Sequence, residues 1–176
     1  MSTATIIQCS YEQHADQILD IFNDAIATST ALFDYKPRQA ESMIGWFEAK
    51  AAGNFPVIGM EQDGQLVGFA SYGTFRAWPA YQYTVEHSVY VHKAHRGKGI
   101  GKQLTKAIIE AADKQGVRTL IAGIEACNQG SIALHEALGF EHCGTIKDAG
   151  YKFGRWLDLV FYQKVLDGPA SPSEVL

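Results

Sequence analysis

Glycines and basic residues alternate in one short run of the chain, Arg96-Gly97-Lys98-Gly99-Ile100-Gly101-Lys102. An alternating apolar stretch precedes this run and a helical pattern follows it. Where a strand turns through glycines into a helix, unpaired backbone N–H groups face whatever lies above the helix start. The segment from His92 to Lys102 carries basic side chains and no acidic one, although the whole chain has a net charge of −4. The run therefore predicts a phosphate-binding loop.

Two common phosphate-binding motifs do not fit this loop. A Walker loop would require a glycine at position 96 and a serine or threonine at 103, where the chain has Arg96 and Gln103. A dinucleotide-binding fingerprint would require a glycine at position 102 and an acidic residue about 20 positions beyond the loop. The chain has Lys102 and no carboxylate from 116 to 122. Both of these nucleotide-binding classes are therefore excluded.

The strand before the loop carries a candidate catalytic carboxylate. In a regular strand Thr84, Glu86, Ser88 and Tyr90 share one face, and the valines and His87 share the other. We expect the valine face to point to the core and Glu86 to project from the polar face. A carboxylate at this point could remove the proton of an attacking amine. The pattern alone also allows a solvated or ion-paired glutamate.

The pattern Arg96-x-x-Gly99-x-Gly101 resembles the pyrophosphate loop of the GNAT family of N-acetyltransferases. Together with stretches 28–33, 83–91 and 150–158, the chain is similar to the phosphinothricin and methionine sulfoximine acetyltransferase branch over nearly its whole length. The resemblance implies acetyl-CoA as co-substrate without a metal, a small-molecule amine as acceptor, and a homodimer. The implied acceptors are small amino acids or analogues with a tetrahedral anionic side group.

The resemblance also implies roles for individual residues. Glu86 would be the general base. The cofactor contacts would be Val89, Tyr90, Val91, Gly97, Lys98, Gly99, Ile100, Gly101, Lys102 and Asn128. The substrate contacts would be Phe75, Arg76, Ala77, Glu86, His87 and Ser88. From the residues alone, Asn128 could equally be a helix N-cap and Arg76 a surface ion-pair residue. Phe33 and Tyr35 could line the apolar part of the acceptor pocket or belong to the core.

His135 stands where many GNAT enzymes carry a tyrosine, seven residues beyond Asn128. A tyrosine is a natural proton donor to a departing thiolate, whereas an unperturbed histidine is mostly neutral at pH 7. His135 could donate as a neutral N–H, could protonate transiently, or could be a core histidine. The thiolate could also leave without an acid, since thiols are already fairly acidic.

Hydrophobic periodicity and turn signals predict the elements that position these residues. The predicted strands are 5–9, 55–61, 66–72, 83–91, 117–125, 140–147 and 157–165. The predicted helices are one ending at 28–30, one from a first-turn Pro37 to Gly53, one over 100–115 and one over 131–138. Antiparallel hairpins early and crossovers late predict an α+β, GNAT-like fold. Its sheet would be mixed, mostly antiparallel and about seven-stranded, with about four flanking helices.

Composition narrows the class of protein. The 176 residues predict a single N-acetyltransferase domain at 1–166 and a flexible C-terminal tail at 167–176. The acidic balance argues against nonspecific nucleic-acid binding, and no apolar run is long enough for a membrane span. The N-terminus shows no secretory signal, and the three scattered cysteines have no metal-ligand spacing. We therefore expect a cytoplasmic protein without nucleic-acid or membrane partners.

Three functions remain open. The first is an acetyltransferase for small amino acids, and the second is an acetyltransferase for protein N-termini or other amines. The third is a non-catalytic acyl-CoA sensor, which would have no need of a base such as Glu86. Resistance to a herbicide-like compound, which the resemblance suggests, could be incidental to another physiological role.

Overall fold

The computed structural model describes residues 3–174. Residues 1–2 and 175–176, which include parts of the predicted N-terminus and tail, lie outside the described residues. The helices are α1 (Tyr11–Thr28), α2 (Ser42–Ala52), α3 (Ile100–Lys114) and α4 (Gln129–Ala137). The strands are β1 (Thr5–Gln8), β2 (Val57–Gln62), β3 (Gln65–Thr74), β4 (Thr84–Val91), β5 (Thr119–Glu125), β6 (Glu141–Lys152) and β7 (Arg155–Val165).

The strands form one seven-stranded sheet in the order β1-β2-β3-β4-β5-β7-β6. Every neighbouring pair is antiparallel except β4 and β5, which run parallel and are joined by α3. The predicted mixed, mostly antiparallel sheet with four helices is confirmed. The Asp63-Gly64 hairpin is confirmed as well, since both residues take the positive φ that a two-residue turn of this kind requires.

Both faces of the sheet are covered, each by its own hydrophobic cluster. The larger cluster packs α3 against one face of the sheet through residues such as Leu104, Ile108 and Leu120. The second joins α1 and α2 to the opposite face around Phe22 and Phe69. The prediction that only the valine face of β4 meets the core is therefore incomplete. Tyr90, on the other face, packs its ring against both phenylalanines.

Local chemistry explains several helix boundaries. The Asn128 side chain accepts a hydrogen bond from the Ser131 N–H at 3.2 Å, which caps α4 as predicted. Gly139 follows α4 with φ +83°, a left-handed conformation that favours glycine. The prediction for Pro37 was wrong, because α2 begins five residues later at Ser42 and Pro37 lies in the connecting loop.

The last hairpin is longer than predicted. β6 continues to Lys152 and β7 begins at Arg155, so the strand ends at 147 and 157 were wrong. A register shift between Ile146 and Gly150 interrupts the pairing, and this irregularity hides the continuation from a simple alternation rule. β6 pairs only with β7 and forms an edge of the sheet.

Residues 166–174, which follow β7, have no regular secondary structure, but they fold back on the domain. Arg118 donates to the carbonyls of Leu166 and Asp167, and Gln82 donates to the Ser173 carbonyl at 2.8 Å. The flexibility of this tail stays a prediction. Within residues 3–174 no helix is long and apolar enough to cross a membrane.

Candidate active site

The central feature of the site is a gap between β4 and β5. The two strands pair only from Thr84 to His87 on β4 and from Thr119 to Ala122 on β5, although both continue further. Beyond that point β4 has no neighbour on its β5 side. The His92 N–H donates to Val67 on β3, so strand alternation directs the backbone groups of Val89 and Val91 toward the gap. Their N–H groups are therefore available to an extended ligand.

On the α3 and α4 face, the gap opens into a groove of about 650 Å³. The groove brings together the end of β4, the glycine loop and the first residues of α4. From the predicted cofactor set it is lined by Val89, Val91, Gly97, Gly99, Ile100, Gly101, Lys102 and Asn128. Lys98 is exposed and is not one of the lining residues, because its ammonium turns back to donate to the Ala94 carbonyl at 3.2 Å. Tyr90 lies on the other face.

The glycine loop leaves the first turn of α3 uncovered. Gly97 and Gly99 have φ +75° and +78°, and a Cβ at either position would meet no atom within 4 Å. Gly99 is the N-cap of α3 and supplies no side-chain cap, so the first-turn N–H groups can donate to an anion.

The basic loop also forms ion pairs with α1, which the sequence did not predict. Asp24 of α1 pairs with Lys93 at 3.1 Å and with Arg96 at 3.5 Å, which offsets part of the loop's positive charge.

On the opposite face, Glu86 lines a second cavity of about 350 Å³. The Oε1 atom of Glu86 packs over Gly123 of β5, 2.8 Å from the point where a Cβ on that glycine would be. The register partner of Glu86 on β3 is Gly73, and its register partner on β5 is Ile121, two residues before Gly123. The Glu86 carboxylate forms no hydrogen bond or ion pair with any residue in 3–174. Burial raises the pKa of Glu86 above its ordinary value, because the charged carboxylate loses part of its hydration.

A lysine that sequence reasoning missed lines the Glu86 cavity. Lys50, in the last turn of α2, donates from Nζ to the Tyr72 carbonyl at 2.9 Å. Its Nζ lies 3.5 Å from the point where a Cβ on Gly73 would be, directly beside the position of Glu86 in the sheet register. Hydrophobic periodicity predicts only the apolar face of α2, so it does not indicate a role for this lysine.

A buried glutamate at the end of β5 borders the same region. Glu125 lines both the Glu86 cavity and a neighbouring cavity of about 600 Å³ on the same face. Its Oε2 accepts from the Thr30 hydroxyl at 2.9 Å, and its Oε1 lies 3.7 Å from a guanidinium nitrogen of Arg155. Only 5% of Glu125 is exposed. This group holds the loop after α1 and the start of β7 around the cavity.

His87 and His135 form a buried pair on the α4 face. The Nδ1 of His135 lies 2.7 Å from the Ser131 carbonyl and donates to it, so the neutral ring accepts at Nε2. The Nε2–H of His87 donates to that atom at 2.9 Å. Burial, and then the proximity of His135, lower the pKa of His87 to about 3, and burial also lowers the pKa of His135. Both rings are therefore neutral at pH 7, and neither N–H of the pair is free.

Lys152 joins the β6–β7 hairpin to the end of α1 and the loop that follows it. Its ammonium donates to the carbonyls of Ile26, Ser29 and Leu32 at 2.7 to 2.9 Å, and the residue is 4% exposed. These three bonds use all its protons and hold the loop that follows α1. Phe33 in that loop packs on Gly150, where any Cβ would lie 2.7 Å from its ring.

The remaining predicted substrate residues are partly dispersed. Phe75 packs against Tyr81 and Phe161, Arg76 stacks over Phe75 at 5.4 Å, and Ala77 is exposed. None of these three lines the Glu86 cavity. Ser88 and Phe33 do line it, as does His87, although the His87 ring lies on the other face. Tyr35 is 73% exposed and donates to the Tyr151 carbonyl, so it belongs to neither the core nor the cavity.

Comparison with known proteins identifies the family. Residues 16–140 match the model of the Acetyltransferase (GNAT) family. The chain belongs to this family. It is therefore an acetyl-CoA-dependent N-acetyltransferase, and the gap beside β4 with its glycine loop suits an elongated donor that carries a diphosphate. The residues that line the groove provide backbone N–H groups and a helix N-terminus for that purpose.

Three relatives show how far the similarity extends. An L-methionine sulfoximine/L-methionine sulfone acetyltransferase of Salmonella typhimurium is 41% identical over 88% of this chain and 91% of its own. The structure of a phosphinothricin acetyltransferase from Sinorhizobium meliloti in complex with AcCoA has a TM-score of 0.91. It is 33% identical over 97% of this chain and 92% of its own. A ribosomal-protein-alanine N-acetyltransferase from Brucella melitensis has a TM-score of 0.90 at 44% identity, covering 92% of this chain and 99% of its own.

Proposed function

We propose that this enzyme transfers the acetyl group of acetyl-CoA to the amino group of a small amino acid or analogue. The acceptors would be of the methionine sulfoximine, methionine sulfone or phosphinothricin type, which the names of two relatives support. The observation that carries the proposal is the position of Glu86. Its unpaired carboxylate stands on the strand that borders the gap and lines an open cavity of about 350 Å³.

In the proposed mechanism, Glu86 removes the proton from the acceptor amine, directly or through one water. The raised pKa of Glu86 makes its carboxylate a better proton acceptor. The amine then attacks the thioester carbonyl, and the Val89 N–H, which faces the gap, donates to the developing oxyanion. Attack forms the C–N bond and a tetrahedral intermediate. Collapse of the intermediate breaks the C–S bond, the thiolate of CoA leaves with that electron pair, and the proton in excess on the nitrogen passes to the thiolate or to solvent.

No acid from the histidine pair is needed in this mechanism. The N–H of His135 is donated to Ser131, and its free nitrogen accepts from His87. A thiol of pKa near 8.5 is a good leaving group without protonation. We therefore assign His135 a structural role, holding α4 against β4, instead of the acid role that was left open from sequence.

The cofactor contacts are proposed from the same geometry. Backbone groups of Val89 and Val91 would pair with the amides of the pantetheine arm, as an added strand would. The N–H groups of residues 97–102 would bind the diphosphate, and Asn128 would contact the arm while it caps α4. Lys98 would contribute through its backbone, since its side chain points away. The Tyr90 backbone faces β3 and its ring packs in the second core, so Tyr90 would support the cofactor only by holding β4 in place. We retain Phe75, Arg76 and Ala77 as outer substrate contacts, with Glu86, His87 and Ser88 lining the inner cavity.

Glu86→Gln tests the proposal. With methionine sulfone as acceptor, we expect CoA release to fall by about 10²- to 10⁴-fold in kcat. The KM for acetyl-CoA should stay the same, because Glu86 lies outside the cofactor groove. In the wild type, kcat/KM for the acceptor should fall on the acid side with an apparent pKa above that of an ordinary glutamate, as protonation removes the base. A variant with wild-type kcat would overturn the role of Glu86.

The alternative functions give different results in the same assay. The name of the Brucella relative favours a protein N-terminus as acceptor, and peptide substrates with a high kcat/KM beside inert amino acids would support it. An acyl-CoA sensor would bind acetyl-CoA and release no CoA with any amine. Either result would contradict the proposed amino acid acetyltransferase.

We also propose a homodimer, formed through the β6–β7 hairpin. A 12-residue edge strand is open to pairing, and the hairpin exposes several large apolar side chains. These are Ile146, Tyr151, Phe153 and Trp156, each about half exposed or more. Sedimentation at the mass of one chain would contradict the proposal.

The domain and location are proposed on separate grounds. We propose residues 1–166 as the single catalytic domain and 167–176 as a tail. We also propose a cytoplasmic location, supported by three unpaired cysteines that suit a reducing compartment.

A further inference from the structure

The Glu86 cavity contains a positive charge without a counter-ion. Lys50 is half-buried, and its ammonium lies 5.3 Å from the centre of the Trp46 ring and 5.9 Å from that of Phe55. No acidic side chain within residues 3–174 forms an ion pair with it. The Tyr72 carbonyl accepts one of its three protons, and no other acceptor in the described part of the chain bonds to the ammonium. A desolvated cation with spare donors favours an anionic ligand.

The position of this charge relative to Glu86 is specific. The Lys50 ammonium lies over Gly73, and Gly73 is the register partner of Glu86 on the adjacent strand. Such partners are about 5 Å apart on one face of a sheet. Lys50 and Glu86 therefore present opposite charges to one cavity at neighbouring positions, and they are too far apart to form an ion pair with each other.

From this juxtaposition we propose that Lys50 binds the α-carboxylate of the acceptor while Glu86 faces its α-amine. In an α-amino acid the two groups share one carbon, so they can reach a base on β4 and a cation that lies over the neighbouring position of β3. The cavity's other charged side chain, Glu125, is already held by Thr30 and Arg155. This inference rests on the proposed function and sharpens it, since an N-terminal residue of a protein has an amide where a free amino acid has a carboxylate.

The other explanation for Lys50 is structural. A cation in the last turn of α2 favours the helix dipole, and its bond to Tyr72 pins α2 to β3. That role requires no ligand, so it predicts a change in stability without a change in the choice of acceptor. A comparison of two acceptors that differ only in the carboxylate separates the two explanations.

The experiment measures KM for methionine sulfone and for methionine sulfone carboxamide. In Lys50→Met we expect KM for the acid to rise roughly 10- to 100-fold, as for loss of a hydrogen bond to a charged group. The KM for the carboxamide and for acetyl-CoA should change less than about twofold, which is well below the change expected for the acid. Lys50→Arg should keep most of the preference for the acid. Lys106→Met, an exposed lysine of α3, is the matched control and should behave as wild type.

The failures of the two proposals are distinguishable. If the wild type acetylates neither acceptor, the proposed function fails. If it acetylates the acid and Lys50→Met raises both acceptor KM values equally or neither, the inference about Lys50 fails alone. Lys50→Gln keeps a donor for the Tyr72 carbonyl without the charge, and it gives the same test should Lys50→Met not fold. Loss of the acid preference in either variant supports the inference.

Discussion

The two sides of the β4–β5 gap are built in different ways. The cofactor side is largely local, because the end of β4, the glycine loop and the start of α3 follow one another along the chain. The acceptor side collects residues from the end of α1, from α2, from β4 and β5, and from the final hairpin. Lys152 and Ile26, which are hydrogen-bonded there, lie 126 positions apart in the sequence. A continuous segment thus forms the proposed donor site, while tertiary packing assembles the proposed acceptor site.

This contrast predicts that a substitution that weakens the packing around the loop after α1 raises KM for the acceptor more than KM for acetyl-CoA. Lys152→Met would leave three carbonyls around the loop after α1 without their donor. We expect the free energy of unfolding to fall by about 3 kcal/mol, since buried groups lose bonds to a charged partner. We also expect KM for the acceptor to rise more than KM for acetyl-CoA. Chemical denaturation and steady-state kinetics measure the two effects.

The control for this change is Lys106→Met, which removes an exposed lysine from α3 and should leave stability and both KM values near wild type. Equal increases in both KM values for Lys152→Met would mean that the two sides of the gap are not mechanically separate. The contrast between a local cofactor side and a tertiary acceptor side would then be wrong, even if stability fell as expected.

A smaller, converse effect is expected on the cofactor side. Gly99→Ala places a Cβ on a residue with φ +78°. The left-handed conformation is then less favourable by about 1–2 kcal/mol, and we expect the loop N–H groups to change direction. We expect KM for acetyl-CoA to rise about three- to tenfold, with KM for the acceptor unchanged. Gly64→Ala is the matched control, because Gly64 has φ +76° and equally open surroundings in a distant hairpin. It should lose similar stability and keep both KM values, and a rise in its acetyl-CoA KM would contradict the local explanation.

The same contrast explains what could be predicted from the sequence. The hairpin at Asp63-Gly64, the Asn128 cap and the place of the glycine loop between β4 and α3 depend on residues close in the chain, and each is confirmed. Phosphate binding by that loop stays a prediction. The position of Glu86 on its face of β4 followed from alternation. Its neighbours did not, because which glycines lie close to Glu86 depends on the register of three strands.

The missed features share one physical cause, which is that their partners are distant in sequence. Lys50 has the spacing of an ordinary surface lysine on α2, and only the sheet register brings it beside Glu86. Asp24 lies far from the basic loop that it partly neutralises. The pairing of His135 with His87 spans 48 positions, so the proton positions in that pair could not be deduced from either local pattern.

The separation of β4 from β5 has a kinetic consequence. The glycine groove opens on the face covered by α3 and α4, and the Glu86 cavity opens on the face covered by α1 and α2. In the proposed mechanism the acetyl group passes from one face of the sheet to the other through the gap beside β4. Donor and acceptor would then occupy opposite faces at the same time, and direct transfer would need no acylated enzyme.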